Sequence, residues 1–386
     1  MNHVKVEDIS VQVRGVSYNK SEVRTAPAEG YSALLRGGNI GAHGLILEDL
    51  QYVPIEKVSE KQKLRNGDVV LVASSGSLDA VGKAAAIDDS FAGTFGAFCK
   101  VLRPSSKVDQ RYFAHYFKTS RYRRTVSSLA AGANINNLKN EHLNELEFPL
   151  PTLSEQRRIA DILDKADALR TKRRESIGHL DALTQSIFHE MSAGSTAPKR
   201  VLGEVASFHA GGTLPDGEVF VGQPGGYLLA RVSDMNRPGN ESNLVRTAEW
   251  TPEIRTRGSL CPAGGVVFPK RGASIATNKK RLAVRPTVLD PNLMGVAPGP
   301  LLDSTYLLTW FSGFDLASIS SGSSVPQLNK KDLAPLELPV PNLERQLEFA
   351  GRVAAIERLK ATHRAQLAEL DNLLLSLQDR AYKGHL

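Results

Sequence analysis

The sequence predicts an α+β protein with two mixed α/β globular parts and two long antiparallel coiled-coil helices, arranged as a pseudo-two-fold internal repeat. Three observations carry this expectation. FPLPTLSEQ (148–156) returns as LPVPNLERQ (338–346), an offset of 190. Each of these runs opens a segment whose apolar residues recur every three or four positions, the signature of one face of a helix. The chain has 386 residues, more than one core accommodates at roughly 100–200 residues per domain. The predicted organisation is a globular part over 1–150, a helix over 151–195, a second globular part over 196–340 and a second helix over 341–386.

The repeat holds one register for more than fifty residues: Gly132 matches Gly322, Leu138 Leu328, Leu143 Leu333, Leu146 Leu336 and Asp181 Asp371. Upstream the offset drifts, which implies loops of unequal length. GDVVLVASSG (67–76) answers GGVVFPKRG (264–272), DQRYFAHYF (109–117) answers DSTYLLTWF (303–311), and GYSALLRGGN (30–39) answers GGYLLARVSDMN (225–236). VVLVAS (69–74) and GVVFPK (265–270) read as strands, GNIGAHG (38–44) and AGGTLPDGE (210–218) as loops, and residues 109–124 as one short helix.

In the first long helix the apolar stripe runs through Ile159, Ile162, Leu163, Ala166, Leu169, Ile177, Leu180, Leu183 and Ile187. In the second it runs through Leu347, Ala350, Val353, Ile356, Leu359, Leu367, Leu370, Leu373, Leu374 and Leu377. Thr152 and Glu155 have capping-box spacing, and Asn342 serves as the second cap. About 38 residues at 1.5 Å each make a rod of about 57 Å, which needs a partner along its length. Gln156, Ile159, Leu163, Leu169, Leu180, Leu183, Gln346, Val353, Ile356, Leu359, Leu370 and Leu373 are therefore assigned to the coil and its partner-binding surface. The alternative, two core helices of one large domain, fits the equal lengths and shared register less well.

Catalytic groups are absent from the pattern. Cys99 and Cys261 are 162 positions apart and read as buried thiols, and the nine histidines lack ligand spacing. No phosphate-cradling loop or nucleophile elbow occurs. DDSFAGTFG (88–96) is one residue out of step with the glycine loop of S-adenosylmethionine-dependent methyltransferases. DPNL (290–293) lacks the second proline and the aromatic that would stack on an extruded adenine. Asp88 with Asp89 reads as a solvated loop. No stretch has the roughly 18 apolar residues of a membrane span, and MNHVKVEDIS is not a signal peptide, so a cytoplasmic protein is expected.

The net charge is +7 at a pI near 9.3, and most of the surplus falls in the globular parts. A basic surplus with Gly- and Ser-rich neighbours suits a polyanion, because arginine forks hold phosphate or guanine edges and asparagine pairs adenine. The DNA-binding candidates are Lys63, Arg65, Ser74, Ser75, Lys83, Arg121, Arg123 and Arg124 in the first copy. In the second they are Arg231, Lys270, Arg271, Asn278, Lys279, Lys280 and Arg281. No residue is assigned to catalysis or to a metal.

FPLPTLSEQRRIADILDKAD, LPVPNLERQLEFAGRVAAIE, GSSVPQLNKKDLAPLELPVP, GDVVLVASSGS and DMNRPG together resemble the specificity subunits of Type I restriction–modification systems, and the resemblance covers essentially the whole chain. It implies two target-recognition domains (1–150 and 196–340) and two conserved helical regions, in a subunit without chemistry of its own. It implies double-stranded DNA as ligand, an asymmetric two-part target, two modification subunits docked on the helices, and restriction subunits joining that complex. S-adenosylmethionine, used for adenine N6 methylation, would be bound by the modification subunit and not by this chain. The alternatives are a Type II specificity subunit of the same plan and a self-contained adenine-N6 methyltransferase.

Overall fold

The computed structural model describes residues 2–42, 44–130, 136–193, 197–254, 259–321 and 325–386. The Gly132–Gly322 match, and His43 in the loop expected at 38–44, lie outside the described residues. The chain forms two compact units. One comprises residues 1–174 with 365–386, the other residues 175–364.

In the first unit a four-stranded antiparallel sheet has the order Ser10–Arg14, Cys99–Pro104, Val69–Val72, Ala84–Ala86. The expected strand VVLV lies inside it and alternates between two cores, as successive strand residues must. Val69 and Leu71 join the cluster around Tyr112 and Phe113, while Val70 and Val72 join Phe95 and Val101. A smaller sheet pairs Tyr31–Leu35 antiparallel to Gln51–Pro54 and parallel to Thr94–Phe95.

The second unit repeats this plan. Its sheet runs Ala206–Ala210, Leu293–Pro298, Val266–Pro269, Arg281–Ala283, Asn243–Leu244, and Val266 and Phe268 face one core while Val267 faces the other. Tyr227–Ala230 pairs antiparallel to Glu249–Thr251 and parallel to Thr287–Leu289, the same combination as its counterpart. After the first strand of each large sheet comes a glycine that nothing larger replaces. A β-carbon on Gly15 would stand 2.1 Å from the Gly96 carbonyl oxygen, and one on Gly211 1.7 Å from that of Asp290.

The single helix expected over 109–124 is two helices, Gln110–Tyr116 and Ser120–Ala130. Asp109 caps the first by accepting from the Arg111 and Tyr112 amides. Thr119 separates them: its hydroxyl donates to the Tyr116 carbonyl and accepts from the Tyr122 amide, ending one helix and starting the next. In the second unit Asp303 caps Ser304–Ser312 in the same way.

The long helices are Leu153–Ala193 and Leu343–Lys383, 41 residues each. Thr152 Oγ1 accepts from the Glu155 amide at 3.3 Å and Asn342 Oδ1 from the Arg345 amide at 3.1 Å, so both expected caps form. The capping box is half made, because the Glu155 carboxylate pairs with Arg158 instead. Ahead of each helix a short strand pairs with the strand that opens the unit, Glu147–Pro149 with His3–Lys5 and Glu337–Pro339 with Lys199–Val201.

The repeated glutamine joins each helix to its globular part. Gln156 is 1 % exposed, accepts from the Asp109 amide at 2.8 Å and donates to the Pro151 carbonyl at 2.8 Å. Gln346 is fully buried, accepts from the Asp303 amide at 2.8 Å and donates to the carbonyls of Pro341 and Leu301 at 2.8 and 2.9 Å. The tyrosine one turn into each capped helix adds a second bond, Tyr112 to the Pro149 carbonyl and Tyr306 to that of Pro339.

Within each unit the long-helix segments run antiparallel. In the first, Ile159, Ala160, Leu163 and Ala166 share a core with Leu374, Ala381 and Tyr382, and Tyr382 stacks on Tyr112 at 5.0 Å. Beyond them, Arg170 binds Asp167 at 2.8 Å and Asp371 at 2.6 Å. In the second, Phe188, Phe349 and Val353 share a core, and Lys360 binds Asp181 at 2.6 Å, a reciprocal pair because Asp181 and Asp371 are repeat partners. The expected stripe is out of phase at five places. Leu169, Leu183, Leu347, Leu359 and Leu373 are 53, 46, 55, 54 and 48 % exposed, so the seam between the helices does not bury them. Ion pairs and the unassigned aromatics Phe188, Phe349 and Tyr382 fill the seam in their stead.

Candidate nucleic-acid interface

The loop carrying Lys63 and Arg65 is fixed from behind. Arg103 grips the buried Asp68 carboxylate with two bonds of 2.7 and 2.8 Å and donates to the Lys63 carbonyl, while Asp68 also accepts from the Arg65 amide. This leaves the Arg65 guanidinium exposed with no partner among the described residues, whereas Lys63 pairs with Glu60. Lys83 is half-buried and also unpaired among the described residues. Ser74 and Ser75 form a two-residue strand opposite Asn137 and Asn136.

On the helix Ser120–Ala130, Arg121 and Arg124 are exposed. Arg123 is not available as the sequence suggested. Its guanidinium donates to the Val81 and Asp79 carbonyls at 2.6 and 2.9 Å and so secures the turn at Gly82, whose φ of +76° only glycine adopts readily.

In the second unit three candidates are likewise committed to the fold. Lys280 is 7 % exposed, its ammonium donates to the Phe314 carbonyl and to Asn278, and burial pulls its pKa down to about 8. Asn278 sits at φ +52° with its side-chain oxygen also holding the Leu316 amide at 3.0 Å, so it is a structural turn residue and not a free adenine reader. Arg281 donates to the Lys280 and Met235 carbonyls, and burial lowers its pKa. Arg231 pairs with Glu249 at 2.9 Å and Lys279 with Asn236. Arg271 is exposed and Lys270 half-buried, and neither side chain bonds another described residue.

Sequence reasoning missed a group that strand pairing assembles. Arg14 and Lys100 are opposite partners in the first unit's large sheet. With Ser74, Asn137 and Lys139 they line a polar notch of about 210 Å³. Lys100 donates to the Leu138 carbonyl at 2.7 Å and to Asn140 at 2.8 Å, and burial, with Arg14 beside it, lowers its pKa. The residues are far apart in sequence, so no local pattern signals them. Cys99 behind the notch and Cys261 in the second unit are buried free thiols, pushed up to about 12 and therefore inert.

Fold and site define a class: a duplicated α+β protein with exposed cations on each unit and a glutamine-locked long helix following each. Residues 24–179 match the family model for the Type I restriction modification DNA specificity domain. The chain is 32 % identical to the Type I restriction enzyme StySPI specificity subunit of Salmonella potsdam over 66 % of its own length and 54 % of that protein's. It is 27 % identical to the EcoKI specificity subunit of Escherichia coli K12 over 99 % and 88 % of the two chains. A solved Type I S subunit from M. genitalium shares its fold at a TM-score of 0.51 and 16 % identity, covering 99 % of this chain and 96 % of that one. The chain is thus similar to the specificity subunits of Type I restriction–modification systems, through the family model over residues 24–179 and through these relatives.

Proposed function

We propose that this chain is the sequence-specific DNA-recognition subunit of a Type I restriction–modification complex. The observation that carries this is duplication with divergence. One frame of sheet, capped helix, buried glutamine and long helix is built twice, while the cations over the two frames sit at different positions. Two unlike basic surfaces suit an asymmetric two-part target, one part per unit, since base edges are read by whichever side chains the loops present. Arg65, Lys83, Arg121, Arg124, Lys270 and Arg271 are the unpaired or exposed cations for this contact.

The chain performs no chemistry of its own; S-adenosylmethionine is bound by the modification subunit. Two such subunits dock on the long helices. The half-exposed leucines Leu169 and Leu359, and Leu183 and Leu373, support this reading, since they recur at one offset and are left uncovered by the chain itself. Among the described residues no helix is long and apolar enough to cross a membrane. The test is methyl transfer to duplex DNA: none is expected from the chain with S-adenosylmethionine alone, and adenine methylation at a two-part site once modification subunits are added. Transfer by the chain alone overturns the reading.

A further inference from the structure

The notch in the first unit places like charges together. Directly opposed residues of an antiparallel pair project to one face, where like charges repel, and Arg14 faces Lys100 in this way. Lys139 closes the rim, and neither Arg14 nor Lys139 has a side-chain partner among the described residues. Two of the three Lys100 ammonium hydrogens are taken by the Leu138 carbonyl and Asn140, leaving one. Glu141 is the carboxylate that acts on Lys100. One acid against three cations leaves a local positive surplus.

The second unit shows that this surplus belongs to the place and not to particular residues. There the Leu328 amide donates to the Lys270 carbonyl, as the Leu138 amide does to that of Ala73, and Gln327 bridges Arg271 as Asn137 pairs with Ser74. Strand register equates Arg14 with Ala210 and Lys100 with Met294, and the 190-residue offset equates Lys139 with Asn329. All three cations are lost. In exchange, the uncharged Ala73, Ser74 and Asn140 have become Lys270, Arg271 and Lys330. Three cations are replaced by three others from different backbone positions around the same strand end.

Size and lining define what fits. The volume of about 210 Å³ is below the roughly 300–1,000 Å³ of sites that enclose a small molecule. No aromatic ring lines it, so it offers nothing on which a base would stack. An oxyanion is the remaining match, held by an arginine fork, a lysine and a hydroxyl.

Resting on the DNA-recognition reading above, we propose that the Arg14–Lys100–Lys139 notch seats one backbone phosphate of the duplex, with Lys270, Arg271 and Lys330 as its counterpart in the second unit. These are anchors that set register without reading sequence.

The test is duplex affinity against salt for the full chain in complex with its modification subunits. The variants are Arg14→Gln, Lys100→Gln, the charge-preserving Arg14→Lys, and Arg271→Gln. Each Gln variant is expected to weaken target and unrelated duplexes by the same factor and to lower the salt slope by about 0.9, and Arg14→Lys to restore the slope. Because Arg14→Gln removes a repulsion, its melting temperature should not fall, which separates lost contact from lost fold. Unchanged slopes in a parent that binds DNA overturn this proposal alone, whereas a parent that binds no duplex overturns the DNA-recognition reading first. Loss confined to the target duplex makes the notch a base reader and also overturns the proposal. So does a notch that takes inorganic phosphate, followed by the Lys100 amide shift, while the Gln variants keep the parental DNA slope.

Discussion

Replacing the locking glutamines by methionine keeps their length and removes their amides. In Gln346→Met the Asp303 amide and the Leu301 and Pro341 carbonyls lose their partner. Leaving a buried polar group unmatched costs about 1–3 kcal/mol. Taking about 1 for each of the two part-buried groups and about 3 for the buried Pro341 carbonyl gives about 5 kcal/mol. Gln156→Met strands only the Asp109 amide and the Pro151 carbonyl, both part-buried, for about 2 kcal/mol. Both tryptophans, Trp250 and Trp310, lie in the second unit, so urea unfolding followed by tryptophan fluorescence reports that unit. Gln346→Met should move this transition strongly and Gln156→Met hardly at all. The latter should instead speed hydrogen exchange at Asp109 and along Gln110–Tyr116. A fluorescence shift below about 1 kcal/mol for Gln346→Met, or an equal shift for both variants, would refute the idea that each glutamine ties its own helix to its own unit.

Three further outcomes follow from the same geometry. Gly211→Ala and Gly15→Ala should each cost about 3 kcal/mol in chemical denaturation, since the new methyl meets backbone that has little room to retreat. Leu169→Ser should leave stability within about 0.5 kcal/mol, as exposed substitutions do, yet weaken assembly with modification subunits in analytical ultracentrifugation; undiminished assembly would remove this leucine from the docking surface. Lys280 has a folded pKa near 8 against about 10.4 unfolded. The unfolded chain therefore binds more protons between those values, and stability rises with pH across that window. Relative to Lys280→Met, the parent should gain up to about 3 kcal/mol between pH 8 and 10.4, read from urea midpoints, and a flat difference would contradict the burial argument.

Much of the frame was legible because it is written locally. Proline-delimited helices, caps at Thr152 and Asn342, the strand VVLV and the duplicated register all depend on neighbours in the chain. The phase of the helical seam was less so. Counting leucines at three and four favoured Leu169 and Leu359, whereas the fold spends those turns on Arg170–Asp371 and Lys360–Asp181 and closes the ends with Tyr382 and Phe188. The cations were the least legible part. Arg123 and Lys280 look like free charges in sequence, and only the tertiary fold brings carbonyls to meet them. Arg14 and Lys100 carry no local mark at all, since strands 86 positions apart bring them side by side.

The division of the chain has a consequence for its synthesis. Residues 175–364 are contiguous, but the other unit draws Leu374, Ala381 and Tyr382 into its core from residues 365–386. On a ribosome the segment made first therefore waits, with a face of Tyr112 and Tyr116 uncovered, until the last turns of the long helix Leu343–Lys383 emerge. The later-made unit can close before it. A released chain ending at residue 364 would therefore carry one finished body and one that still exposes its aromatic face to chaperones.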